Sequence, residues 1–292
     1  MNIKQSILAA LAYHDIFDYP LYEEEIKLYL TSPLKSTRSF NSALKQLIKE
    51  NKIGNAKKLY FLHGKQKNVL MRCKRKIYSN LKRSRAELFL TIIKRVPGVK
   101  LVAITGALAM KNSTKNDDID LLIVTSQNKL WTTRFILNIA LFPFKRSPKS
   151  KKQNNKACLN IFIDESNLTI PDQNLYIAHE IAQMKPIWDR GNTYQKFIRS
   201  NIWVRQYLPN WKPEARGEIL ARKHIFKLIY YMLHVTCYLL PLEKFTKSFQ
   251  LSYMRTKITI EKITDTQLFF HPKKTQTIIL KKYKIKLKSI IY

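Results

Sequence analysis

The stretch Leu101–Thr125, LVAITGALAMKNSTKNDDIDLLIVT, limits the fold of this chain more than any other. Its first apolar run, Leu101 to Ile104, reads as a short buried strand. Gly106 ends that strand, Leu108–Lys111 suits a helical turn, and Asn112–Asp117 is polar and turn-like. Asp118-Ile119-Asp120 then runs straight into a second apolar segment, Leu121–Val124. Side chains alternate along a strand, so Asp118 and Asp120 are expected on one face. Two adjacent carboxylates repel, and a divalent cation is the simplest agent that relieves this, since hard cations take oxygen ligands. A solvated surface turn is the plain alternative, but charged turns rarely flow into four apolar residues.

A glycine and a small residue after a strand, a ten-residue gap (108–117), then Asp-hydrophobic-Asp-hydrophobic resembles the DNA polymerase β superfamily of nucleotidyltransferases. The likeness centres on residues 96–164. It implies transfer of a nucleoside monophosphate from an NTP to a hydroxyl, the acceptor being RNA, protein or a small molecule. It further implies that Asp118 and Asp120 are catalytic and hold two Mg²⁺ ions, or Mn²⁺, with Gly106, Ala107 and Lys111 contacting nucleotide phosphates. Lys115 lies in the same connecting turn. The family carries a third carboxylate on a following strand. Here Cys158–Ile163 is that strand, its interior offers Asn160, and Asp164 stands at its end, so these two are the remaining metal-ligand candidates. Ala107 stands where the family has Ser or Gly, and Asn160 brings no charge. The competing reading is therefore a degenerate nucleotide-sensing, DNA-binding regulator.

Upstream, Ile3, Ile7, Leu8 and Leu11 share a helical stripe. Pro20 precedes a second helix whose first turn holds Glu23, Glu24 and Glu25, where the helix dipole favours acids. Its expected buried face is Ile26, Tyr29 and Leu30. A third helix, about 39–50, buries Phe40, Leu44, Leu47 and Ile48. Residues 52–62 read as a hairpin. Three helices and a hairpin within residues 1–64 resemble a winged helix-turn-helix. That implies DNA contact through Arg38, Asn41, Lys45 and Lys49 of the third helix; a protein-binding or scaffold role is the alternative.

Residues 66–95 read as one or two basic helices, either a solvated face or a track for phosphates. Leu130–Phe144 reads as a helix, 145–156 as a basic loop, and 177–184 as another helix. His179-Glu180 begins like a zinc HExxH motif, but Gln183 replaces the second histidine, so His179 is expected in the core. Phe197, Trp203, Tyr207 and Trp211 are expected there too. From residue 214 the chain reads as helical. It ends in a lysine-rich, acid-free stripe (273–292) suited to packing on the core, to nucleic acid or to an anionic membrane.

The balance of 53 Lys+Arg against 20 Asp+Glu, net +33, favours a polyanionic partner such as nucleic acid, although the preference for Lys and Asn also suggests composition bias. Three scattered cysteines, Cys73, Cys158 and Cys237, show neither disulfide nor metal spacing, so a reducing, cytoplasmic setting is expected. The apolar run 225–242 is interrupted by Lys227 and His234 and is not expected to span a membrane. The fold class expected is α+β: a winged-helix domain (1–64), a nucleotidyltransferase domain with a small mixed sheet covered by helices (65–210), and a basic helical region (211–292).

Overall fold

The computed structural model describes residues 1–146, 153–213, 242–255, 261–270 and 273–291. The fold is mixed α and β, with two small sheets packed among helices. Helix α1 (Ile3–Asp15) starts at Asn2, whose side chain accepts the Gln5 N–H while Gln5 returns the bond to the Asn2 N–H. This reciprocal box satisfies two otherwise orphaned donors. Strand β1 (Leu21–Tyr22), α2 (Glu23–Leu28) and α3 (Thr37–Lys49) follow, then the hairpin β2 (Ile53–Ala56) and β3 (Leu59–Leu62). β3 lies between β1 and β2, antiparallel to both.

Two readings of this region change. The stripe expected for α1 is too narrow, since every residue from Ser6 to Asp15 is buried. The helix is enclosed by α3, β3 and the last helix of the chain, and Ala9, Ala10 and Ala12 let these neighbours approach closely. On α3, Phe40, Leu44 and Leu47 are buried as expected, but Ile48 is exposed at 40%.

Helix α4 (Lys67–Ile93) is continuous over 27 residues. Its cations are not simply a solvated face. Arg72 pairs with Glu25 through two bonds of 2.8 and 2.9 Å. Arg75 reaches the Phe17 carbonyl at 2.9 Å and Asn112 at 3.2 Å. Lys82 is 2% exposed and donates to the carbonyls of Lys115 (3.2 Å) and Asp117 (2.6 Å) and to Asn155 Oδ1 (2.9 Å). Such partners are what a buried ammonium needs to remain charged. The polar turn 112–117 is thus stapled onto α4, and Ser113, fully buried, adds its N–H to Ser79 Oγ at 3.0 Å.

The main sheet has six strands in the order β7-β4-β5-β6-β9-β8. They are β4 (Val99–Ile104), β5 (Ile119–Thr125), β6 (Ala157–Asp164), β7 (Lys185–Asp189), β8 (Lys262–Ile263) and β9 (Gln267–Phe269). β5 and β6 are parallel, joined through α6 (Leu130–Ala140); the other pairings are antiparallel. On β5 the odd positions Ile119, Leu121 and Ile123 pack with α4 and α6 residues such as Phe89, Ile93 and Leu137. The even positions Leu122 and Val124 face the other layer, where α7 (Leu175–Gln183) and α8 (Thr193–Ser200) join α1 in one continuous core. Short helices α5 (Gly106–Ala109) and α9 (Val204–Tyr207) complete this part.

The C-terminal region is not purely helical. The hairpin β8–β9 extends the sheet beyond β6, between α10 (Glu243–Met254) and α11 (Lys273–Ile291). β8 and β9 are two and three residues long, too short to announce themselves by alternation. α11 packs Ile279 and Tyr283 against α1 and α7, and its Lys286 bonds Asp15. The apolar run 225–242 lies outside the described residues except for Leu242. Among those described, no helix is long and apolar enough to cross a membrane. Cys73 and Cys158 are free thiols, and Cys237 lies outside the described residues.

Candidate active site

Asp118 immediately precedes β5 and Asp120 is its second residue, both half-buried. They stand on the even face of the strand, in the α7 layer. The Asp118 carboxylate pairs with Arg146 Nη1 at 2.9 Å, where it is 16% and the guanidinium 42% exposed. Asp120 Oδ1 accepts from Asn160 Nδ2 at 3.1 Å. Asn160 owes this position to an irregularity in the parallel ladder: Leu121 pairs with Leu159 and Leu122 with Ile161, leaving Asn160 as an extra residue. Bulges of this kind turn a side chain towards a neighbouring strand.

Gly106 adjoins the pair. Its φ is +61°, a left-handed backbone that glycine adopts without penalty. A Cβ there would lie 3.0 Å from Asp120 Oδ2. Behind it, Glu180 of α7 accepts the Gly106 N–H. Burial, and secondarily the negative charge of Asp120, push the Glu180 carboxyl up to about 7, against the lowering effect of that hydrogen bond. The Tyr176 hydroxyl is also pushed up, first by burial and then by Glu180 and Asp120.

Cys158 stands opposite Asp120 in the register. Ligand atoms of Asp118, Asp120 and Cys158 all lie within 4.8 Å of one another. Burial and the two aspartates push the thiol well up, so it stays protonated at neutral pH. A protonated thiol is no ligand for a hard ion. The two carboxylates are, and Mg²⁺ is commonly held by one or two carboxylates completed by substrate phosphates. The donor set therefore fits Mg²⁺ or Mn²⁺ at Asp118 and Asp120, provided Arg146 yields its oxygen on Asp118.

Not every residue expected here arrives. Asp164 is five positions beyond Asn160's neighbour Leu159, paired with Thr125 at the far end of the strand. There it accepts from Asn128 N–H (2.8 Å), Ser166 N–H (2.9 Å) and Ser166 Oγ (2.6 Å), ordering two loops. Lys111 is exposed, has a left-handed backbone, and lines a separate cleft of about 260 Å³ with Arg83 and Lys185. Ala107 is exposed beside Gly106. Arg146, Cys158 and Glu180 were missed as site residues. In sequence Arg146 belongs to a basic loop and Cys158 carries no metal spacing, and only tertiary packing brings Glu180 under Gly106.

On α3, Arg38, Asn41, Lys45 and Lys49 are all exposed along one side. His179 is buried, stacked on Tyr13 with ring centroids 3.7 Å apart, and its Nδ1 lies 3.3 Å from Gln183 Nε2. Phe197, Trp203 and Trp211 are core residues. No family model, curated protein or solved structure matches this chain.

Proposed function

We propose that this chain is a metal-dependent nucleotidyltransferase of the polymerase β type carrying an N-terminal winged-helix unit. The observation that carries the reading is the Asp118–Asp120 pair at the head of β5, with Gly106 packed so closely that a Cβ there would lie 3.0 Å from Asp120 Oδ2. Asp118 and Asp120 would hold Mg²⁺ or Mn²⁺, which neutralises phosphate charge when bound. Gly106 leaves the approach to Asp120 clear for the triphosphate. In the reaction the acceptor oxygen bonds to the α-phosphorus of an NTP, the α–β bridging P–O bond breaks, and pyrophosphate leaves. The hydroxyl proton passes to a nearby carboxylate. The exposed Arg38–Lys49 side of α3 and the net charge of +33 support contact with nucleic acid.

A second reading, a nucleotide sensor without turnover, is favoured by the Arg146 pairing on Asp118 and by Asn160 in place of an acid. Turnover separates the two. The protein is incubated with each α-labelled NTP, Mg²⁺, and cell RNA, protein and small-molecule fractions. Label transferred by wild type and lost in Asp120→Ala establishes the transferase. Mg²⁺-NTP raising the Tm without transfer in any fraction establishes the sensor. If Asp120→Ala shows the same thermal shift as wild type, the carboxylate pair is not the site.

A further inference from the structure

Helix α10 is fixed against α6 on the opposite side of the sheet from Asp118 and Asp120. The Glu243 carboxylate accepts the Trp131 N–H at 2.7 Å and the Thr132 N–H at 2.9 Å, and Gln250 Nε2 donates to the Trp131 carbonyl at 2.8 Å. Between the two helices runs a groove of about 550 Å³. Two half-buried cations, Arg134 and Lys145, line it, and among the described residues no acid does. Both donate to neutral amides, Arg134 to Gln250 and Lys145 to Asn138. Burial pulls the Arg134 guanidinium down to about 10, so it stays charged at neutral pH. Burial first, and then the Arg134 charge, pull Lys145 down. Charges withdrawn from water are normally paired, so two neighbouring cations with neutral partners call for an anion.

Beside these cations stands a row of bare rings. Phe245, Phe249 and Tyr253 follow one another at four-residue spacing on one face of α10 and are 65%, 56% and 68% exposed. The Phe245 and Phe249 planes lie within 14° of each other, with centroids 6.5 Å apart. Phe142, 79% exposed, lines the groove from the end of α6. Large apolar groups gathered in water mark a binding surface. Four residues of helix rise about 6 Å, whereas stacked bases in one strand are about 3.4 Å apart. Flat groups seated one per ring must therefore be drawn apart, which a single strand allows and a duplex does not.

We propose that the α6–α10 groove binds single-stranded nucleic acid, its bases stacking on Phe245, Phe249 and Tyr253 and a phosphate held by Lys145 beside Arg134. Aromatic faces accept any base, and a cationic groove follows the backbone. Other occupants fit less well. A second copy of this chain, at net +33, brings charge of the wrong sign. A bilayer would take the rings into hydrocarbon and leave Arg134 and Lys145 against apolar tails without an anion. The proposal goes beyond the transferase reading and needs neither metal nor NTP.

The test is fluorescence anisotropy of a labelled oligouridylate of about twelve nucleotides, titrated with the full chain in EDTA. An abasic strand of equal length and charge, and a duplex of that length, are the comparators. Wild type should bind the oligouridylate about tenfold tighter than the abasic strand. Phe245→Ala with Phe249→Ala should erase that preference and leave the abasic affinity unchanged. Phe249→Trp, which enlarges the ring, should keep or strengthen it. Lys145→Gln should reduce the slope of log affinity against log salt by about 0.7. Equal affinity of wild type for the two strands overturns the proposal, as does a preference that survives the double alanine change. So does an unchanged salt slope in Lys145→Gln, or ring-dependent binding that favours the duplex or phosphatidylserine vesicles over the strand. Because neither metal nor NTP is present, failure here leaves the transferase reading standing, and strand binding without label transfer sinks that reading alone.

Discussion

Replacing Glu180 by Gln removes the charge while keeping an oxygen to accept the Gly106 N–H. In the folded protein this carboxyl titrates at about 7 instead of 4.5, chiefly because burial penalises the anion. Between those values the folded chain keeps a proton that the unfolded chain has released. Folding stability therefore falls as pH rises from about 4.5 to about 7, then levels off. At 1.36 kcal/mol per pH unit the full cost is about 3 kcal/mol. Urea unfolding of wild type and Glu180→Gln from pH 4 to 9 tests this. The variant should match wild type at pH 4 and exceed it by about 3 kcal/mol at pH 8. Asp120→Asn separates the causes: since desolvation ranks above the Asp120 charge, most of the pH dependence should survive that change. A stability difference that is constant across pH, or one that grows towards acid, would refute the reasoning.

Three other substitutions probe neighbouring parts of the argument. Gly106→Ala forces a side chain into a left-handed backbone and against Asp120, so a loss of about 1–3 kcal/mol in unfolding free energy is expected. It should also abolish any Mg²⁺-NTP thermal shift. Lys82→Met leaves two loop carbonyls and Asn155 without their shared donor, and should cost about 2–3 kcal/mol by denaturant titration; a neutral result would mean the turn finds other partners. Asn160→Asp sets a third carboxylate beside Asp120, so the metal-free protein should melt lower and Mg²⁺ should restore more stability than in wild type. An unaltered response to Mg²⁺ would remove Asn160 from the site. Nucleic-acid contact by α3 is best tested by Lys45→Glu with Lys49→Glu, reading duplex affinity against salt. Deleting residues 1–64 is the poorer experiment, because α1 shares its core with α7 and α11.

Local pattern was enough to read the central strand pair, the glycine turn and the carboxylate pair. A period of two places Asp118 and Asp120 together whatever surrounds them. The same holds for the exposed side of α3, where a period of 3.6 separates Phe40, Leu44 and Leu47 from Arg38, Asn41, Lys45 and Lys49. These arrangements depend only on backbone geometry within one element.

What the chain does with its charges was decided by tertiary structure. Lys82, Arg75 and Arg146 look alike in sequence, yet one staples a buried turn, one bridges α4 to Asn112 and Phe17, and one neutralises Asp118. The difference lies in which carbonyls and carboxylates lack partners nearby, and those come from residues distant in the chain. Asp164 is placed by the same kind of contact: five residues along a strand is about 17 Å, enough to set its carboxylate apart from Asp120 and among two loops. Glu180 became a site residue only because α7 lays it beneath Gly106, 74 positions earlier in the sequence, in surroundings dry enough to alter its proton affinity.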